Sequence, residues 1–152
     1  MEENKKEFET VQYIVVKIGS EQYGIDIRYV DNIVRIQKIT RVPKIQNYFK
    51  GVINLRGEIV PVMSLRIKMN QPEDELTNAA RIIIIKLEPQ AAIGIIVDEV
   101  KEVVTLKEDQ IEKVTYDAKD ENAGYINGIG KHEGELISLL DLHAVIGEKE
   151  IV

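Results

Sequence analysis

Two histidines, His132 and His143, are the whole stock of imidazole and thiol chemistry in this chain, which has no cysteine. A nucleophilic site of the usual kind would have to be built on one of these two. His132 falls in a predicted hairpin turn and His143 in a predicted closing helix, positions where an isolated imidazole serves the surface or the packing. No His-Glu-x-x-His spacing occurs and thiolate ligands are absent, so no metal site is expected. Phosphate-binding loops fail as well. Gly19 and Gly24 have the first spacing of a Walker A loop, but Ile25 stands where Lys is required. Gly128, Gly130 and Gly134 miss the dinucleotide fingerprint by one residue and precede a strand, so their reading is turn geometry. The acidic pairs Asp98-Glu99 and Asp120-Glu121 lack calcium-loop spacing and read as solvated faces. The inventory supports neither a cofactor nor a catalytic centre. One polar residue stands out: Arg56, at the tip of an apolar hairpin from Val52 to Met63. It is either a solvated turn residue or a cation held rigidly as a protein-binding anchor.

The elements that position these residues are strands. Tyr13 to Ile18, a turn at Gly19-Ser20-Glu21, and Tyr23 to Ile27 form a predicted hairpin. Arg28 to Asn32 reads as one helical turn, and Ile33 to Ile36 as strand. Gln46 to Phe49 reads as a short helix closed by Gly51. Val52 to Leu55 and Ile59 to Met63 flank the turn at Arg56-Gly57-Glu58. Pro61 cannot donate to a ladder, so its strand is expected at an edge or at a bulge, with Glu58 and Arg66 keeping that edge soluble. Asn70 to Asn78, polar and interrupted by Pro72, is the predicted linker. Asp141 to Gly147 predicts a short closing helix, capped by Asp141 and ended by Gly147.

The same grammar then returns after the linker. Ile83 to Leu87 repeats Ile14 to Ile18, Gly94 to Val104 repeats Gly24 to Val34, and Gly128 to Ile137 repeats Gly51 to Val60. Three fragments in one order, at nearly constant offset, predict an internal duplication. Each repeat reads as about five short strands, the pattern of a small barrel or sandwich, and is too small to be comfortably stable alone. The predicted division is 11–76 and 77–147, with 1–10 and 148–152 as flexible termini.

Composition narrows the partners. The chain has 152 residues, 44% apolar and 30% charged, with a net charge of -6. An acidic surface disfavours nucleic acid and anionic lipid. The N-terminal Met1 to Glu7 is charged, without a secretory apolar stretch, and no apolar run is long enough to span a bilayer. A soluble cytoplasmic protein without membrane insertion is expected.

Tyr23-Gly24-Ile25-Asp26-Ile27 with Val30 and Ile33 resembles the opening of the CheW family of chemotaxis coupling proteins. Val42-Pro43, then Lys50 to Val62 (Lys-Gly-Val-Ile-Asn-Leu-Arg-Gly-Glu-Ile-Val-Pro-Val) with Leu65-Arg66, resembles that family's most specific stretch. Ile93 to Val100 followed by Val103 resembles its second-half signature. The resemblance runs from about residue 11 to residue 146. It implies a mainly β fold: two SH3-like five-stranded β-barrels sharing an apolar seam, with short helices and a short C-terminal helix. It implies a non-catalytic adaptor that couples the cytoplasmic tips of chemoreceptors to the regulatory domain of the histidine kinase CheA, with possible ring assembly alongside kinase domains. Carried over residue by residue, Val30, Asn32, Ile33, Arg56, Gly57 and Val100 belong to receptor binding, Val30, Ile33 and Val100 in an apolar groove between the barrels. Gly51 and Gly128 belong to kinase binding or to the shape of the hairpins. Asn32 stands where the family often has Glu, an ion partner for Arg56, which leaves Arg56 to Glu58, the receptor or water. The remaining alternatives are a CheW-like module from a larger signalling protein and a small carboxylate-dependent hydrolase, the latter requiring clustered carboxylates with raised pKa values.

Overall fold

The structure, a computed structural model, describes residues 9–89, 91–114 and 123–146. The chain forms two compact units. A central unit takes Lys17–Gly19 and Tyr29–Val100, and a terminal unit takes Ser20–Arg28 with the residues before Lys17 and after Val100. The expected flexible termini, apart from residues 9 and 10, and Gly147 lie outside the described residues.

The central unit is built on β3 (Val30–Arg35), β4 (Phe49–Leu55), β5 (Glu58–Ser64), β6 (Arg81–Glu88) and β7 (Ala91–Val97), in the order β3-β6-β7-β5-β4. β-Branched residues dominate these strands, which suits a pleated surface buried on its inner face. The core gathers Ile53, Val60, Val62, Ile82, Ile84 and Ile96, with Val34, Ile36, Ile39 and Leu55 packed against it. Each fully buried aliphatic side chain contributes roughly 1.5–3 kcal/mol. β6 is buried on both faces, since Ile83 and Ile85, which point away from that core, are as enclosed as Ile82 and Ile84.

The terminal unit is built on β1 (Thr10–Ile18), β2 (Glu21–Asp26), β8 (Glu99–Lys107), β9 (Ile111–Lys113), β10 (Ile126–His132) and β11 (Glu135–Leu140), in the order β8-β1-β2-β11-β10-β9. Its core is Val15, Val104, Leu106, Ile137 and Leu139, with Tyr13 and Ile111 against it. Two short helices follow the matching strands. In α1 (Leu65–Lys68) the Ser64 hydroxyl caps the Ile67 amide at 3.2 Å. In α2 (Leu142–Ile146) Asp141 accepts from the Ala144 amide at 3.2 Å, the cap expected of it.

The duplication is visible in the sheets, but the compact units are not the sequence halves. Replacing each strand by its repeat partner turns β3-β6-β7-β5-β4 into β8-β1-β2-β11-β10. Registers agree too: the parallel pair Val62 with Gly94 repeats as Leu139 with Gly24. Each sheet takes its central hairpin from one repeat and its other strands from the other. The division at 11–76 and 77–147 is therefore corrected to interleaved units. The physical reason is that local pattern reveals hairpins, whereas β3–β6, β5–β7 and β2–β11 are long-range pairs without a turn to announce them.

Other expectations change in detail. The terminal sheet has six strands, and β9 answers a single bridge, Thr40 to Val52, in the central unit. β5 lies between β7 and β4 and is not an edge. Pro61 faces Val52 on β4, and the pairing with β7 starts only at Val62, so no amide is needed there. Gln46 to Phe49 is one turn closed by the Phe49 amide on the Gln46 carbonyl at 3.1 Å, not a helix. The helical turn near Arg28 is a short 3-10 segment, Ile27–Tyr29. Among the described residues no helix is long and apolar enough to cross a membrane.

Candidate functional site

Arg56 and Gly57 are the two turn residues between β4 and β5, since Leu55 pairs with Glu58. Their φ values, 55° and 86°, are the positive pair of a type I′ turn, whose twist matches that of the strands. Asn54 locks the turn by accepting the Gly57 amide at 2.8 Å. Arg56 is exposed, and among the described residues it makes no ion pair, with Glu58 or any other carboxylate. A cation is thus presented on a rigid turn with its hydrogen-bonding capacity open to a partner. Two residues past Gly57, Ile59 is 60% exposed, an apolar neighbour that its sequence pattern does not single out.

Val30 and Ile33 sit three residues apart on β3, a spacing that ordinarily puts side chains on opposite faces. Asp31 is an extra residue in the ladder: Val30 faces Ile85, whereas Asn32 already faces Ile84. This bulge restores Val30 to the face of Ile33, which is paired with Ile83. Both therefore lie on the face of β3 that points away from the unit's core, and Ile33 is 37% exposed there. Asn32 is turned to local use, its Oδ1 accepting the Ile33 amide at 2.8 Å. Val100, half-buried, stands at the start of β8, the position in the second repeat that Val30 holds in the first. Among the described residues no hydrogen bond or ion pair joins Val30, Asn32 or Ile33 to the Arg56 turn or to Val100.

Gly51 and Gly128 mark matching bulges in β4 and β10. At Gly51 φ is 141° and a Cβ would lie 2.8 Å from the Thr40 carbonyl carbon, so glycine is required. Gly128 is less constrained, a Cβ there meeting the Ile111 side chain at 3.0 Å.

A polar cluster in the central unit was not legible as such. Arg66 grips Asp98 through two hydrogen bonds, Nη2 to Oδ2 at 2.6 Å and Nε to Oδ1 at 3.3 Å, and Asp98 Oδ2 also accepts the Gly19 amide at 2.8 Å. Asp74, from the segment read as a linker, accepts from the Ser64 hydroxyl at 2.6 Å, with its other oxygen 4.0 Å from Arg66 Nε. Burial alone would raise the Asp98 carboxyl, but the Arg66 hydrogen bonds, the Gly19 amide and the nearby cations hold it below the usual range. Burial pushes the Asp74 carboxyl up, against the pull of Ser64 and Arg66. Arg66, read as a solubility charge at an edge, is only 14% exposed, and Asp98 is a structural partner instead of a solvated face. The signal available in sequence was an Arg and an Asp each following an apolar strand, too common a pattern to pair them. This arrangement is a clamp: Asp98 is committed to Arg66 and Gly19 and one Asp74 oxygen to Ser64, while Asp74 Oδ1 is buried near Arg66 without a hydrogen bond. His132 lies at the tip of β10, 3.7 Å from Glu133, and Asp120-Glu121 lie outside the described residues. Among the described residues no group of carboxylates and imidazoles is arranged to hold a metal ion.

Comparison with known proteins decides the family. The CheW-like domain model matches residues 12–150. The chain belongs to the CheW-like domain family. It is 38% identical to the chemotaxis protein CheW of Bacillus subtilis (strain 168), over 90% of this chain and 86% of that one. It is 32% identical to the Klebsiella aerogenes CheW, over 92% of this chain and 84% of the relative. Among solved structures, the scaffolding protein TtCheW from Thermoanaerobacter tengcongensis superposes with a TM-score of 0.80 at 31% identity, covering 91% of this chain and 94% of that one. The mainly β, two-sheet architecture of this CheW-like chain is that of its structural relative. CheW proteins form a family of non-catalytic scaffolds, which sets aside the hydrolase alternative.

Proposed function

We propose that this CheW-like chain is a chemotaxis adaptor that couples chemoreceptor tips to the regulatory domain of the histidine kinase CheA, working in the cytoplasm within receptor arrays. The observation that carries the reading is Arg56: an exposed cation, fixed in a type I′ turn, without an ion-pair partner among the described residues, inside the stretch matched to the family. Receptor contact falls to Val30 and Ile33 as apolar anchors on one face of β3, and to Asn32, Arg56, Gly57 and Val100 as further contact residues; helical hairpins dock by apolar anchors with a polar rim. Gly51 and Gly128 shape the β4 and β10 hairpins that meet the kinase, and alternation with kinase domains closes rings.

The test is a calorimetric titration of wild type and Arg56→Glu with a soluble chemoreceptor fragment and with the CheA regulatory domain. Receptor affinity is expected to fall by about 2 kcal/mol, roughly thirtyfold, with a smaller change for the kinase and an unaltered circular dichroism spectrum. Unchanged receptor affinity in a folded variant overturns the role of Arg56.

A further inference from the structure

Between Thr40 and Phe49 the central unit carries a strap whose ends are fixed and whose middle the fold does not use. At one end Thr40 and Val52 exchange two backbone hydrogen bonds, each 2.8 Å. At the other, the Ser64 amide donates to the Tyr48 carbonyl at 2.7 Å, and the Tyr48 side chain is buried. In the middle, Val42 and Ile45 are 38% and 39% exposed, large apolar side chains outside the unit's core. Among the described residues, Arg41 to Ile45 make no hydrogen bond within the chain. Lys44 is held at a φ of 63°, a left-handed conformation that costs a residue with a Cβ about 1 kcal/mol.

These residues line a groove of about 660 Å³. Its charged lining is Arg41, Lys44 and Lys50 against the single carboxylate of Glu73, which Lys50 meets at 3.2 Å. Three cations to one anion is the reverse of a chain whose net charge is -6. A groove that combines a local positive field, exposed apolar footholds and unpaired main chain matches one chemistry: an extended segment rich in carboxylates and interleaved with apolar side chains.

We propose that the strap groove docks an acidic, apolar-interleaved peptide segment of a partner protein. Its carboxylates meet Arg41 and Lys44, its apolar side chains rest on Val42 and Ile45, and its backbone runs along the unpaired strap. The site requires neither Arg56 nor β3, so it stands or falls separately from the receptor contact.

Fluorescence anisotropy tests it, with the full chain titrated into a fluorescein-labelled peptide of alternating Glu and Leu, and into Gln/Leu and Lys/Leu counterparts. Only the Glu/Leu peptide is expected to bind, with an affinity that falls as salt is raised. The double variant Arg41→Glu/Lys44→Glu and the double variant Val42→Ser/Ile45→Ser each weaken it at least about tenfold. Lys107→Glu/Lys113→Glu, the same charge change at two exposed lysines of the terminal unit, leaves it unaltered. If a double variant melts, Lys44→Gly removes the charge while easing the backbone, and a loss of about threefold is expected from it. Equal binding of the three peptides, no binding of the Glu/Leu peptide, or indifference to these substitutions overturns the proposal. Displacement of the peptide by free glutamate at equal concentration also overturns it, since the groove is then a small-anion site.

Discussion

The hairpins β4–β5 and β10–β11 are one backbone solution written twice. Each has a bulge at a glycine, a two-residue turn with positive φ at both positions (55° and 86°, 51° and 81°), and an exposed apolar residue two positions past the glycine of the turn. The turn geometry is kept by Gly57 and Gly134, and the exposed apolar side chains are Ile59 and Leu136, 60% and 62% accessible. What differs is the charge at the tip, Arg56 in one and Glu133 in the other. The lesson is that backbone requirements fix the glycines, while the first turn position, held at a positive φ in both hairpins, leaves the sign of its charge free to differ.

The units differ more deeply behind the hairpins. Arg66 and Asp98 clamp the central unit over a long sequence separation. The corresponding positions of the terminal unit hold His143 and Arg28, and Arg28 pairs instead with Asp26, two residues away, with its own side chain 68% exposed. A long-range, enclosed ion pair ties distant segments together; a local, solvated one does not.

The largest expected effect breaks the likeness of the two bulges. Gly51→Ala drives a Cβ into the Thr40 carbonyl at a φ of 141°, whereas Gly128→Ala meets a side chain that can give. Strain and collision together put the first at about 4 kcal/mol of lost stability, and the second at about 1 kcal/mol. Urea unfolding of the two variants checks this, and equal losses would show that the bulges are equivalent after all.

Next is the clamp. Arg66→Met leaves Asp98 and Asp74 without their cation and is expected to cost about 3 kcal/mol, while His143→Met, at the matching exposed position, costs less than about 1 kcal/mol. Denaturant midpoints compare them directly. The clamp also marks where the sequence stopped being legible. The hairpins, the caps at Asp141 and the repeat were readable because turn residues and period-two apolar runs are local signals. The family positions Val30 and Ile33 were readable only by resemblance, since the Asp31 bulge that brings them to one face leaves no trace in the pattern. The interleaving of the units, the burial of Asp74 in a segment that reads as linker, and the pairing of Arg66 with Asp98 all depend on contacts distant in sequence, on which local pattern is silent.

A smaller effect separates the carboxylates by pH. Asp98 has a depressed folded pKa, so its stabilisation is present above the unfolded value of about 4 and is lost as pH falls through the lower folded one. Asp26 behaves likewise, burial raising its carboxyl but the Arg28 hydrogen bonds and charge lowering it further. Asp74 runs the other way: its contribution is present below about pH 4 and is lost as pH rises through its raised folded value. Unfolding in urea at pH 3, 5 and 7 is expected to show a weaker acid loss in Asp98→Asn than in wild type. Asp74→Asn is expected to flatten the fall between pH 4 and neutrality. An unaltered acid limb in Asp98→Asn would mean that the clamp is not held by charge.

The smallest expected effect is at the tips, and it bears most directly on function. Arg56 and Glu133 are both exposed, and each occupies the first position of its turn, where the backbone conformation is shared. Exchanging their charges, Arg56→Glu in one variant and Glu133→Arg in another, removes no buried contact and alters no φ requirement that either residue meets differently. Each change is therefore expected to move stability by less than about 0.5 kcal/mol, the ordinary range for a surface substitution. Thermal or urea unfolding measures it. If both variants hold their stability, any loss of partner binding in Arg56→Glu belongs to the contact and not to the fold, and a selective loss against receptor but not kinase gives the two tips different partners. If Arg56→Glu instead destabilises by about 1 kcal/mol or more while Glu133→Arg does not, the β4–β5 turn relies on its cation structurally. The likeness of the two hairpins would then end at the backbone, and the apolar strip on β3 would have to be tested for receptor binding on its own.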